Sequence, residues 1–276
     1  MTVLLANGAN VSSVSLSPVL AALVYVAAAL FGLGASVVVN LLADRIEGDE
    51  EPPSRAGSCQ TCGVALPASR LMPVLAMQVT RRRCVACGKA ASLRAPLLGI
   101  SLAVIFPLLA ARVLDPANLT RISPWLILVL DLIVCCFLAF VFAVDLEHRL
   151  IFDISIYPPI ILLLAAALIF DRKALAAMLF GVIICGGLFL LLYGLGFLLY
   201  RQEALGFGDV KLAVLIGVLV GWPAIGTAIG LAALFGAAIS VLLLGVGTAS
   251  RRTFIPFGIF MALGAVLALL LAPPYW

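Results

Sequence analysis

Eight apolar stretches, each nearly free of charge, occupy most of this chain, and that pattern commits it to the bilayer. A helix needs about 20 apolar residues to cross the hydrocarbon core. Windows near residues 18–42, 96–111, 124–144, 154–170, 174–200, 210–221, 223–248 and 254–272 predict eight spans, and so an all-α polytopic membrane protein. The sixth is short, roughly half a crossing. It either begins in the loop before it or fuses with the seventh across Gly221-Trp222-Pro223. Composition agrees, with 64% hydrophobic and 11% charged residues. A soluble domain carries roughly twice that charge, and a chain of this size could not bury so much apolar surface in water. The formal charge of +4 argues against nucleic acid as a partner.

The start of the chain lacks the basic segment of a cleaved signal peptide, and its first apolar stretch is too long for one. The first span therefore directs insertion itself. Lys and Arg in short loops mark the cytoplasmic side. With the N-terminus outside, 13 of the 17 basic residues fall inside, including Arg45, Arg81, Arg82, Arg83, Arg94, Arg149, Arg201 and Lys211. Only Arg112, Arg121, Arg172 and Lys173 fall outside. Three regions follow: residues 1–42 (tail and first span), 43–95 (a polar cytoplasmic loop) and 96–276 (the remaining spans).

The loop opens with an acidic, proline-containing linker at 47–53. It then carries Cys59-Gln-Thr-Cys62 and Cys84-Val-Ala-Cys87, each pair followed by glycine, Gly63 and Gly88. Four thiolates in two such knuckles suit a tetrahedral Zn²⁺ site, closed and therefore structural, in a zinc-ribbon-like loop too poor in apolar residues for its own core. Two disulfides, or thiols without a ligand, are the competing reading; a reducing cytoplasm favours the metal. The run Arg81-Arg82-Arg83 suits anionic lipid or an acidic substrate, and equally a positive-inside signal. Cys135, Cys136 and Cys185 lie inside spans and read as small buried hydrophobes. Gly226 and Gly230 present a small-xxx-small face suited to helix contact.

Ionisable groups at membrane depth are costly and become candidates for function. Asp145 stands at the inner end of the third span, and Asp209 at the inner start of the sixth, in Gly206-Phe207-Gly208-Asp209. Topology puts both on one side at similar depth. Two carboxylates sharing a proton can activate water for peptide hydrolysis, one as base and one as acid. Gly206 and Gly208 would let a substrate strand approach beside Asp209, and Lys211 either biases the local charge or snorkels. The bland reading makes both aspartates helix caps. Asp131 lies 14 residues before Asp145, about 21 Å along a helix, and reads as a buried hydrogen-bonding residue. Glu147 and Asp153 read as exposed loop carboxylates. His148 is the sole histidine, so no serine triad can form.

Taken in order, Cys59/Cys62/Cys84/Cys87, the stretch Asp145-Leu-Glu-His-Arg-Leu-Ile-Phe-Asp153, and Gly206-Phe-Gly-Asp209-Val-Lys211 resemble the bacterial type IV prepilin peptidases, polytopic GxGD aspartic proteases. Asn40 with Arg45, and Pro256-Phe257-Gly258, fit further family motifs. The resemblance implies a catalytic pair Asp145 and Asp209 in the bacterial inner membrane. It implies cleavage of prepilins or type II secretion pseudopilins at the cytoplasmic face. It also implies N-methylation of the new N-terminus by S-adenosylmethionine, for which the sequence offers no glycine-rich turn. Phe152 replaces the family's usual Pro, Gly99 its Glu and Ser36 its Gly; the last two bear on methylation more than on proteolysis. The alternatives are a presenilin-like intramembrane protease, whose tail motif would read Pro-Ala-Leu, and an ion-coupled transporter, which would show internal repeats.

Overall fold

A computed structural model of the chain describes residues 2–6, 9–13, 16–45, 64, 86–87, 94–116, 118, 120, 122–200, 205–246 and 256–271. The expected linker at 47–53, the arginine run 81–83, and Cys59, Cys62 and Cys84 lie outside these residues. The chain forms two compact units, one of residues 16–111 and one of residues 112–276 together with 1–15.

The unit of residues 16–111 is built on α1 (Pro18–Ala43) and most of α2 (Arg94–Val113). Ser17 caps α1, its hydroxyl accepting the Leu20 N–H, and Pro18 begins the helix where its missing N–H is harmless. The helices meet backbone to backbone at Gly32, where a Cβ would stand 2.4 Å from the Leu102 carbonyl oxygen. Phe31 and Phe106 pack alongside, ring centroids 5.8 Å apart. The polar groups are gathered at the C-terminal end of α1. Arg94 Nε donates to Asn40 Oδ1 at 3.0 Å, and the guanidinium also pairs with Asp44. Asn40 in turn donates to the Ser36 carbonyl at 2.8 Å. Arg45, the other residue of the motif, is exposed; Asn40 meets Arg94, 54 residues away.

The second unit holds six helices among the described residues: α3 (Pro124–His148), α4 (Asp153–Phe170), α5 (Arg172–Tyr200), α6 (Phe207–Val220), α7 (Ile225–Gly245) and α8 (Gly258–Leu271). A helix stands at each of the eight predicted places, and among the described residues six are long and apolar enough to cross a membrane: α1 to α5 and α7. Helices α6 and α8 have 14 residues each, about 21 Å, too short for a hydrocarbon core of about 30 Å. The helical architecture is as expected, with one small addition. Strands β1 (Thr2–Ala6) and β2 (Ala9–Ser13) pair antiparallel ahead of α1. Asn7-Gly8 between two short β-prone segments is a hairpin signal that a search for spans passes over.

Helix α6 is the centre of this unit and packs on α4, α5, α7 and α8. Nearly all of it from Val210 onward is buried, with Leu212 and Leu215 fully so. A helix apolar on every face belongs in the interior. Its start lies in the loop before Val210, and it does not fuse with α7. Gly221, at φ 63°, turns the chain, and the Trp222 N–H anchors that turn on the Ala177 carbonyl of α5 at 2.9 Å. The outer helices send leucines outward, Leu198 being 74% exposed, as lipid contact requires.

Close helix approaches are made at glycines other than those expected. A Cβ at Gly226 or Gly230 meets nothing within 4 Å, so neither marks a helix contact among the described residues. A Cβ at Gly181 of α5 would fall 2.3 Å from the Gly217 carbonyl oxygen of α6, and one at Gly264 of α8 2.5 Å from that of Ala228 on α7. Gly217→Ala should therefore force α5 and α6 apart and destabilise the protein by about 1–3 kcal/mol, as overpacking does. Gly187→Ala, where a Cβ meets open space, is the control. Thermal unfolding in detergent should show a lowered Tm for the first variant and an unchanged one for the second.

Candidate active site

Asp145 lies one turn before the C-terminus of α3 and is 5% exposed. A helix C-terminus carries partial negative charge, so a carboxylate there is opposed by its own helix. The compensation comes from α8. The Ile259 N–H, in the first turn of that helix, donates to Asp145 Oδ2 at 3.1 Å. The first-turn N–H groups of a helix have no partner within it, and a carboxylate satisfies one of them. Gly258 makes the approach possible, because a Cβ there would stand 2.7 Å from Asp145 Oδ2.

Asp209 sits in the first turn of α6, whose N-cap is Gly206. It is therefore the third helical residue rather than the cap, and its N–H donates to the Gly206 carbonyl at 3.0 Å. Its charge is favourable at this end of the helix. It is half-buried, and Asp145 is close enough to act on it electrostatically. The two aspartates thus converge from the end of one helix and the start of another.

Ile151 joins the elements. Helix α3 ends at Arg149, a left-handed residue at φ 56° and ψ 34°. The chain then runs to Phe152, extended at φ −83° and ψ 140°, a backbone that proline would also adopt. Between them, Ile151 fills the space left by two glycines. A Cβ at Gly208 would lie 3.0 Å from Ile151 Cβ, and one at Gly258 3.3 Å from Ile151 Cδ1. Gly208 therefore admits Ile151, where the sequence suggested a substrate strand. A Cβ at Gly206 would lie 3.6 Å from Asp209 Oδ2, an ordinary contact.

Lys211 does more than snorkel. Its Nζ donates to Asp153 Oδ1 at 2.5 Å, and Asp153 belongs to the first turn of α4. Glu147 is exposed and His148, the last residue of α3, is half-buried. Asp131 is buried farther along α3, with Arg112 as its neighbouring charge, away from the pair. Of the four loop cysteines, Cys87 alone is described, and it is exposed. Cys135 and Cys185 are buried as expected.

Gly258 and Ile151 are the site residues that chemistry-led reading misses. Neither carries a reactive group, and the signal for Gly258 was its place in Pro256-Phe257-Gly258.

Comparison with known proteins meets the same segments. The profile of the type IV leader peptidase family matches residues 132–273, and that of the bacterial peptidase A24 N-terminal domain matches residues 30–113. A prepilin leader peptidase/N-methyltransferase of Pseudomonas putida is 29% identical over 217 residues, 78% of this chain and 72% of the relative. The protein of that name from Aeromonas hydrophila is 29% identical over 81% of this chain and 76% of its own length. That from Pseudomonas aeruginosa is 26% identical over 77% and 70%. No solved structure matches significantly. The first profile covers more than half of the chain, including Asp145, Asp209 and Gly258, and the chain therefore belongs to the type IV leader peptidase family.

Proposed function

We propose that Asp145 and Asp209 are the catalytic dyad of this membrane peptidase and that its substrates are prepilins or pseudopilins. The observation that carries the reading is the meeting of the two carboxylates at the ends of α3 and α6. The sequence places both on the cytoplasmic side of a bacterial inner membrane, with the N-terminus outside, and the substrate's apolar helix would remain in lipid. Relatives named as prepilin leader peptidases support this substrate class. The motif Pro256-Phe257-Gly258 and the family match weigh against the presenilin-like and transporter alternatives.

Two carboxylates within electrostatic reach of each other can share one proton and titrate as a pair. The ionised carboxylate takes a proton from a water molecule as the water oxygen attacks the scissile carbonyl carbon. The protonated partner gives its proton to the carbonyl oxygen, forming a gem-diol. Collapse breaks the C–N bond: the proton taken from water passes to the leaving nitrogen, and one gem-diol hydroxyl returns its proton to the other carboxylate as the C=O re-forms, restoring the singly protonated pair. Because Asp145 Oδ2 is engaged by Ile259, we assign the proton exchange on that residue to its other oxygen.

The relatives' second name supports N-methylation of the new N-terminus by S-adenosylmethionine, which supplies an electrophilic methyl group. Cys59, Cys62, Cys84 and Cys87 provide a four-thiolate donor set that fits structural Zn²⁺.

Incubation of the membrane protein with a prepilin and labelled S-adenosylmethionine, followed by mass spectrometry of the product N-terminus, reads cleavage and methylation together. Asp145→Asn and Asp209→Asn should each abolish cleavage; full activity in either variant sinks the dyad. Gly258→Ala should lower kcat by about 10²-fold, the scale of a 1 Å misplacement at a reacting group. Its kinetics on the same substrate would show this. Metal analysis should find about one zinc per chain, and Cys59→Ser should lose it. A metal-free wild-type chain with an intact loop by protease resistance would refute that site.

A further inference from the structure

Asp153 and Lys211 form an ion pair for which the hydrolysis itself has no use. Lys211 Nζ stands 2.5 Å from Asp153 Oδ1, with the two side chains 24% and 57% exposed. The same Nζ lies 5.9 Å from the ring centre of Tyr157 on α4 and 5.4 Å from that of Phe207. A cation within about 6 Å of a ring face is attracted to it. Phe207 is braced in turn by Tyr193 of α5, edge to face at 5.6 Å. The ammonium is thus already neutralised and flanked by rings, and is poorly suited to receive a second anion.

Its place in the chain gives the pair a consequence. Asp153 follows Asp145 by eight residues, through the left-handed turn at Arg149 and the extended Phe152. Lys211 follows Asp209 by two. The ion pair therefore links the two carboxylates by a short path, eight residues from Asp145 to Asp153 and two from Lys211 to Asp209, with Ile151 lying on that path against Gly208.

We propose that Asp153 and Lys211 are positioning residues, a clamp that ties the first turn of α6 to the start of α4 and so sets the separation of Asp145 and Asp209. The proposal rests on the dyad assignment above. An exposed ion pair adds little to global stability, so variants lacking it should still fold. Its effect is local, and a displacement of about an ångström at reacting groups is enough to slow turnover.

The test uses Asp153→Asn, Lys211→Met, their double variant and Lys211→Arg in the full chain in membranes, with two readouts. The first needs no activity: copper-phenanthroline crosslinking of Asp145→Cys/Asp209→Cys, with the product identified by mass spectrometry. The yield should fall about fivefold in each single variant and no further in the double, the pattern of residues acting as one unit. An unchanged yield in either single variant, or no crosslink in the parent, overturns the clamp. The second is prepilin cleavage: kcat should drop about tenfold with KM within about twofold, and Lys211→Arg should keep most of the rate. Additive losses in the double variant, or a loss with Lys211→Met but none with Asp153→Asn, also overturn it, because Lys211 would then act alone. Absence of cleavage by the wild-type chain would instead defeat the peptidase reading, while the crosslinking would still decide the clamp.

Discussion

A carboxylate near the C-terminal end of an apolar helix cannot be left to that helix, and the Asp145–Ile259 hydrogen bond is the solution on which this unit depends. The last carbonyls of α3 repel the charge, and lipid offers no water to screen it. A donor must come from another helix N-terminus, which brings α8 to the end of α3. The donor is backbone, so the helix must come close, and only a residue without a Cβ permits it. The glycine at 258 and the packing of α8 on α3 are consequences of one buried charge.

The same logic extends to α6. Ile151 reaches both Gly208 and Gly258, so the turn that follows α3 locates the start of α6 as well as that of α8. An apolar side chain seated against two glycines gains dispersion contacts that a looser junction would forfeit. The candidate site is therefore organised by three residues without polar side chains, Ile151, Gly208 and Gly258, around two carboxylates. Rigidity of this kind suits the proposed dyad, in which two carboxylates would share a proton.

The helices and the proposed pair were legible in sequence for a common reason: charge is scarce. Apolar windows located every helix to within a few residues, and Asp145 and Asp209 stood out against them. What was hidden depends on relations between distant residues. The role of Gly258 lies in what its absent side chain would strike. Ile151 is one isoleucine among many. Asn40 finds Arg94 across 54 residues, a pairing that no local motif encodes. The length of α6 was only partly readable, because its first turn, Phe207 to Asp209, lies in a motif read as a loop. The β-hairpin was readable from Asn7-Gly8, but a reading tuned to spans looks for long periods and not for two-residue turns.

The shortness of α6 and α8 has a physical use in this arrangement. A helix that crosses the bilayer puts its termini among headgroups, where water competes for the unpaired N–H groups. A helix of about 21 Å can start below the surface, among its neighbours. Helix α6 carries Asp209 in its first turn, and the first turn of α8 donates to Asp145. Two positive helix ends thus face the two carboxylates, each worth a fraction of a unit charge. They partly offset the repulsion between the aspartates. Each short helix thus sets its positive end beside a carboxylate while most of its later turns stay buried among neighbouring helices.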